Sequence, residues 1–171
     1  QDGLMMYTQA GPTFGGYAID KFGNQVWNTQ NLYITHWNQF GQLYGFNANR
    51  GRQMTFYNQD LWITPEGYEM NGHEIKQIPN GDYMGLVNDY EFGPIPIYNV
   101  NEDWSNSGDW TEQFQTLGYV VDGETNEYLW LGQKIVQWDE ETRDEVWSWN
   151  PFEHFTMDDY DWGVWTWLPS G

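Results

Sequence analysis

The chain contains no cysteine. Disulfides, iron–sulfur clusters, thiolate zinc sites and thiol nucleophiles are therefore excluded together, although this alone fixes no compartment. Basic residues are nearly as scarce. Lys21, Arg50, Arg52, Lys76, Lys134 and Arg143 stand against 25 acidic residues, for a formal net charge of -19. Duplex nucleic acid is excluded as a partner, because phosphate contacts need clustered Lys and Arg. An anionic membrane surface is disfavoured for the same reason. No apolar run approaches the length of a transmembrane helix, and the chain does not open on a basic head followed by an apolar core. It begins at Gln1 rather than Met, as expected of a processed product or a portion of something longer. The acidity fits a secreted protein or a surface that meets divalent cations.

What is abundant is aromatic. The 171 residues, enough for one domain with a core, include 12 Trp, 12 Tyr and 9 Phe, punctuated by 19 Gly and 7 Pro. Aromatic residues favour strands and Gly and Pro favour turns, so the chain reads as all-β. A disordered acidic chain would be poor in aromatics.

Gly72 to Val87 (GHEIKQIPNGDYMGLV) reads as a β-hairpin turning at Pro79-Asn80-Gly81, where Pro presets φ and Gly accepts a positive φ. Such a hairpin must belong to a larger sheet. Gly16–Asp20 and Gln25–Asn28 form an earlier hairpin, and Asn31 to Trp37 alternates as a strand. Asn38 to Gly51, rich in Gly and Asn, reads as a long loop. Met54–Tyr57 and Leu61–Ile63 are strand candidates. Asn88 to Gly108 reads as a surface excursion, with Pro94 and Pro96 excluding a central strand. Trp110 to Thr116 fits a helical turn or a strand. Leu117–Val121 and Tyr128–Leu131 read as a hairpin around 122–126. Gln133 to Asn150 is a last clear hairpin, and Val164 to Gly171 looks like one more strand. YAID-KFGN-QVWN (17–28) and VQWD-EETRD-EVWSW (136–149) share a layout of apolar strand, Asp, short turn and Val-Trp. Repeated antiparallel hairpins with aromatic landmarks suggest a β-propeller. At roughly 40–50 residues per blade the chain supplies three to four blades, which implies part of a larger propeller or a different β architecture.

Four stretches resemble the arylsulfotransferase (ASST-like) β-propeller family, in the family's order and touching nearly the whole chain. They are GGYAIDKFGNQVWN, Thr35-His36-Trp37 with the Gly-rich run after it, GHEIKQIPNGDYMGLV, and QKIVQWDEETRDEVWSWNPFEHF. The last two are long and fairly specific. The chain departs from the family pattern at Arg143-Asp144, where Thr-Gly is common. The resemblance implies an extracytoplasmic enzyme, periplasmic, surface-bound or secreted. Such an enzyme moves a sulfuryl group from a phenolic sulfate ester to a phenol through a histidine, with no nucleotide donor and no cofactor. His73 matches the family's first site histidine and His154 the histidine after the W-x-W strand. A further family histidine, a candidate for the nucleophile itself, would follow beyond Gly171. Neutral imidazole suits the task as a nucleophile near neutral pH, and cationic donors are needed where charge gathers on the sulfuryl oxygens.

His36 reads as a structural hydrogen bonder. Asp158, Asp159 and Asp161 are a candidate calcium site, since hard cations take clustered carboxylates; without the Gly and terminal Glu of an EF-hand loop, the run reads first as a solvated loop. No pair of carboxylates stands out for glycosidase chemistry. Trp27, Trp138, Trp147 and Trp149 occupy repeat positions and read as packing residues. Trp104, Trp110, Trp162 and Trp165 lie in irregular segments and are candidate platforms, with Trp104 and Trp110 taken as the substrate-binding pair. The alternative to an enzyme is a non-catalytic extracellular propeller that uses exposed aromatics for glycan or protein partners, or for self-assembly. Fold alone does not decide between them.

Overall fold

The computed structural model describes residues 3–9, 15–29, 32–97, 110–156 and 159. They are almost wholly β. Strands β1 (Met5–Gln9), β2 (Gly15–Ile19) and β3 (Gln25–Thr29) form a three-stranded sheet in chain order. Strands β4 (Tyr33–Trp37), β5 (Leu43–Asn47), β6 (Arg50–Met54) and β7 (Asp60–Ile63) form a four-stranded sheet. Strands β8 (Met70–Gln77), β9 (Tyr83–Gly93), β10 (Tyr128–Trp138) and β11 (Glu145–Trp149) form another, also in chain order. All three sheets are antiparallel meanders. Helix α1 (Trp110–Thr116) and a 3-10 turn (Pro151–Glu153) are the helical elements among the described residues. None of these helices is long and apolar enough to cross a membrane.

One turn design is used five times. Backbone hydrogen bonds close Asp20–Asn24, Asn38–Gln42, Thr55–Gln59, Ile78–Asp82 and Asp139–Asp144. Each places one residue at positive φ: Gly23, Gly41, Asn58, Gly81 and Arg143. In the first three the opening side chain clamps the turn. Asp20 Oδ1 accepts from the backbone N–H groups of Phe22 and Asn24. Asn38 Oδ1 does so from Phe40 and Gln42, and Thr55 Oγ1 from Tyr57 and Gln59. These short polar residues at a turn's first position compete for backbone donors and so stop the strand there. The repeat legible in residues 17–28 and 136–149 is this unit, and it also occurs at 38–42, 55–59 and 78–82.

The described residues fall into two compact units, Gln1–Asn88 with Gln133–Trp149, and Asp89–Gly132 with Asn150–Gly171. In the first, Leu32, Ile34, Leu43 and Met54 pack with Met6 and Trp27 between the first two sheets. Tyr44, Phe46, Trp62, Met70, Ile75, Tyr83, Val87, Val136 and Trp138 form the larger core. In the second unit Phe114 of α1 packs with Ile95, Val121 and Trp130. Alternation carries the packing: Tyr83, Gly85 and Val87 of β9 are buried while Met84 and Leu86 are half-buried.

Several expectations need correction. Asn38 to Gly51 is not a loop: it holds a turn, β5 and the start of β6. Leu43 to Phe46 are all buried, so the strand lacks the two-residue alternation that marks a half-exposed one. Its Gly45 is required by contact, because a Cβ there would collide with the Tyr33 carbonyl oxygen. Met54 ends β6, and Thr55 to Asn58 form a turn rather than a strand. Of the two forms open to Trp110–Thr116, the structure has the helix. Leu117–Val121 is not a strand; the Glu127 carboxylate accepts from the N–H groups of Val120 (2.6 Å) and Val121 (2.7 Å), which replaces a ladder. The excursion expected from Asn88 begins later, since β9 runs to Gly93 and Ile95 is 2 % exposed. Of the four packing tryptophans Trp138 is fully buried, whereas Trp147 is 47 % exposed. The strand expected at 164–171 lies outside the described residues.

Candidate functional site

His73 stands on a large irregularity of β8. Met70 pairs with Val87, and the next pair is Ile75 with Gly85. Asn71, Gly72, His73 and Glu74 therefore face Leu86 alone. Bulges of this kind bend a strand and re-aim its side chains. Here the bulge leaves His73 exposed at the surface.

A chain of hydrogen bonds holds the ring. The Glu69 carboxylate can only accept, so the Asn88 amide donates to it through Nδ2 at 3.0 Å. Asn88 Oδ1 then accepts from Asn71 Nδ2 at 3.1 Å. Asn71 Oδ1 is left to face His73 Nδ1. The direction set by the carboxylate runs down the chain and makes Nδ1 the donor. In the neutral ring the lone pair is then on Nε2.

Beside the bulge is a cleft of about 530 Å³ lined by Tyr33, Phe46, Asn47, Ala48, Asn49, Met70 and Gly72. Two aromatic rings and a methionine supply apolar wall, and two asparagines supply polar atoms. Ala48 (φ 47°) and Asn49 (φ 63°) both lie at positive φ in the two-residue turn between β5 and β6. That conformation costs a non-glycine residue about 1–2 kcal/mol. It is held in part by the Asn49 carbonyl, which accepts from the Met70 N–H at 3.0 Å.

Glu74 and Lys76 point elsewhere. Glu74 Oε1 lies 3.6 Å from the Lys76 ammonium and 3.8 Å from His36 Nδ1. His36 stacks on Tyr44 with ring centroids 4.4 Å apart, and Thr35 Oγ1 is 3.4 Å from its Nδ1. Burial holds the His36 pKa below its ordinary value; Glu74 works against this and Lys76 with it. Ring stacking and the Thr35 contact suit a structural histidine.

His154 belongs to the second unit, at the end of the 3-10 turn. That turn is capped by Asn150, whose Oδ1 accepts from the Phe152 N–H at 3.1 Å and whose Nδ2 donates to Asp89 at 2.6 Å. The His154 side chain is exposed. His73 is in the first unit. Trp110 opens α1, and Trp104, Trp162 and Trp165 lie outside the described residues. Asp158 and Asp161 lie outside them too. The Asp159 carboxylate accepts from the Thr156 N–H (2.8 Å) and hydroxyl (3.1 Å). Among the described residues no group of three or more His, Asp or Glu is placed to hold a metal ion. Sequence reasoning missed Glu69, Asn71 and Asn88, and the aromatic walls Tyr33 and Phe46. Comparison with family models, curated proteins and solved structures finds no match for this chain.

Proposed function

We propose that the chain is part of an arylsulfotransferase-like β-propeller, with its three meanders as blades and His73 as the residue that meets the sulfuryl group. The observation that carries this reading is the Glu69–Asn88–Asn71–His73 chain. It fixes one tautomer on an exposed imidazole, and that histidine lies within one of the two long stretches that resemble the family. In this reading the aryl group of a phenolic sulfate rests in the cleft against Tyr33 and Phe46. The Nε2 lone pair attacks sulfur; the S–N bond forms as the S–O bond to the phenol breaks, and the departing phenolate takes a proton from water. A second phenol then attacks the same sulfur, the S–N bond breaks, and its proton leaves to solvent. Asn71 and the Glu69 charge behind it offset the positive charge that the sulfo-imidazole carries on Nδ1–H.

The test is turnover of a phenyl sulfate donor with a phenol acceptor. His73→Ala abolishes it, and Asn71→Leu lowers kcat with KM little changed, because the tautomer rather than the cleft is lost. Full activity in His73→Ala removes His73 from the mechanism. One observation favours a second reading, a non-catalytic binding propeller: Lys76, the cation nearest to His73 in sequence, has its ammonium against Glu74. That reading expects no turnover with any aryl sulfate.

A further inference from the structure

Asparagine followed by glycine is a labile point in a polypeptide, because the glycine nitrogen can close on the asparagine side chain with no Cβ in the way. The sequence has this pair twice, at Asn71-Gly72 and Asn80-Gly81, both on the hairpin of β8 and β9. The same chemistry meets two different surroundings.

At Asn80 the fold opposes it. The Gly81 N–H, whose nitrogen has to attack, donates to the Ile78 carbonyl at 3.0 Å and closes the turn. Asn80 Nδ2 donates to Asp82 Oδ2 at 2.8 Å, and Asn80 Oδ1 accepts from the Asp82 N–H at 3.2 Å. A Cβ on Gly81 would lie 2.9 Å from Glu140 Oε2, so a second carboxylate stands beside the glycine. Two negative groups disfavour both the loss of a proton from the nitrogen and the oxyanion that its attack creates.

At Asn71 the fold assists. Gly72 is exposed and has no register partner on β9. A Cβ on it would meet nothing within 4 Å, which leaves the glycine room to turn toward Asn71 Cγ. Asn71 Oδ1 faces His73 Nδ1, which carries the proton when the Glu69 carboxylate sets the direction of the chain. That N–H polarises the Asn71 carbonyl and is already in place for the oxyanion. Nearby charge is turned away: Glu74 lies against Lys76 and His36, and the Asn88 amide stands between Glu69 and Asn71.

We infer that Asn71 is a self-modification site, converted to aspartyl and isoaspartyl forms by attack of its own backbone, with the His73 ring assisting. The Gly72 nitrogen gives its proton to hydroxide and bonds to Asn71 Cγ. The bond from Cγ to Nδ2 breaks, and ammonia leaves with a proton from water. A second water then opens the cyclic imide at either carbonyl. The product at position 71 has no amide donor, so Asn88 Oδ1 loses its partner and the chain from Glu69 to His73 is cut. No step uses sulfuryl chemistry, and the site acquires a finite lifetime whatever reaction the histidine serves.

Trypsin cleaves after Arg52, Lys76 and Lys134, so the two asparagines fall in different peptides. Mass spectrometry follows each while the intact chain stands in heavy-oxygen water at mildly alkaline pH. In the native chain Asn71 converts about 10-fold or more faster than Asn80. In concentrated urea the two rates come together, because only the local pair remains. His73→Ala, with thermal unfolding matched to the parent, slows native conversion at Asn71 about 10-fold and leaves the rate in urea unchanged. That is less than the roughly 10²-fold of a buried oxyanion donor, because the ring is exposed. Three results overturn the inference: native rates that are equal or reversed; no native conversion at Asn71 over a period in which the urea-unfolded chain converts; or a native rate that His73→Ala leaves unchanged.

Discussion

Replacing Tyr83 by Phe tests the polar knot inside the main core. Tyr83 is 2 % exposed and Gln53 3 %. The Tyr83 hydroxyl donates to Gln53 Oε1. Gln53 Nε2 donates to Gln42 Oε1 and to the Tyr44 hydroxyl, both at 2.9 Å. This ties β9 to β6, and β6 to β5 and the 38–42 turn. The Tyr83 ring stacks on Trp62 at 4.0 Å, and Phe preserves that contact. The substitution therefore removes one hydroxyl and leaves a buried amide oxygen without its donor. Such an orphan costs about 1–3 kcal/mol, whereas a satisfied hydrogen bond nets only about 1 kcal/mol. Urea unfolding followed by tryptophan fluorescence measures the difference, with an unchanged slope as the sign that the native fold is kept. Combining Tyr83→Phe with Gln53→Met removes both partners, so the double variant loses less than the two single losses added together. A loss below about 0.5 kcal/mol in Tyr83→Phe, within the range of an inert surface change, refutes the argument that the knot is closed and dry.

The same variant has a signature in pH. Burial first, then the neighbouring Tyr44 and Glu140, raises the Tyr83 pKa well above its usual 10.0. Above pH 10 the unfolded chain gives up this proton while the folded one keeps it, so stability falls as pH rises. The contribution is complete below pH 10 and is lost on the way up to the folded pKa. Tyr83→Phe flattens the alkaline limb but does not abolish it, because burial also raises Tyr44.

Further outcomes follow from the turns and close approaches. Arg143 holds φ 64° where three of the four sibling turns use Gly. Arg143→Gly therefore stabilises the protein by about 0.5–1 kcal/mol in urea unfolding, the strain relieved outweighing the added chain entropy. Gly45→Ala drives a methyl into the Tyr33 carbonyl between β4 and β5 and lowers stability by more than about 1–3 kcal/mol, since backbone cannot yield as a side chain does; a Tm near that of the parent refutes the close approach. Asp122 accepts from the Glu124 and Thr125 N–H groups and the Thr125 hydroxyl. The Thr125 bonds, first among these, depress its pKa to about 2. Its contribution is present above the ordinary 3.8 and is lost as pH falls toward 2, so acid unfolding of Asp122→Asn has a shallower limb between pH 4 and 2.

Much of the fold was legible because turns are local. Asp20, Asn24 and the Val-Trp after them announce a clamped hairpin within eight residues, and Ile78-Pro-Asn-Gly does the same with Pro and Gly. β5 was not legible because its neighbours decide it. Leu43 to Phe46 are covered on both faces, so no alternation survives, and the Gly and Asn that suggested a loop are there for a close strand approach and a two-residue turn. The 117–121 segment fails for the opposite reason. Val120 and Val121 have strand propensity, but the Glu127 carboxylate offers their N–H groups a partner that no pattern of apolar residues announces.

The site shows where pattern reading stops. The motif drew attention to His73, and strand alternation then predicts that it shares a face with Ile75. Ile75 is fully buried and His73 is exposed, because the four-residue bulge breaks the alternation between them. Once the register slips, Asn88 is brought into line behind Asn71 and the His73 ring. Asn71 and Glu69 stand two and four residues before the histidine, on its face in any regular strand; Asn88, across the hairpin, is the member that only the bulge brings into line. A change that reduces the bulge to a single extra residue separates the possibilities. Deleting Gly72 with Asn71 shortens the bulge by two residues, so the side-chain parity of β8 is preserved and Ile75 stays inward. The hairpin then folds with near-parental stability in urea, while the His73 ring loses its acceptor and its nitrogen NMR shifts move toward those of an unrestrained histidine, in which the Nε2–H tautomer predominates. An unchanged Nδ1–H signature in that deletion shows that the bulge was never what oriented the ring.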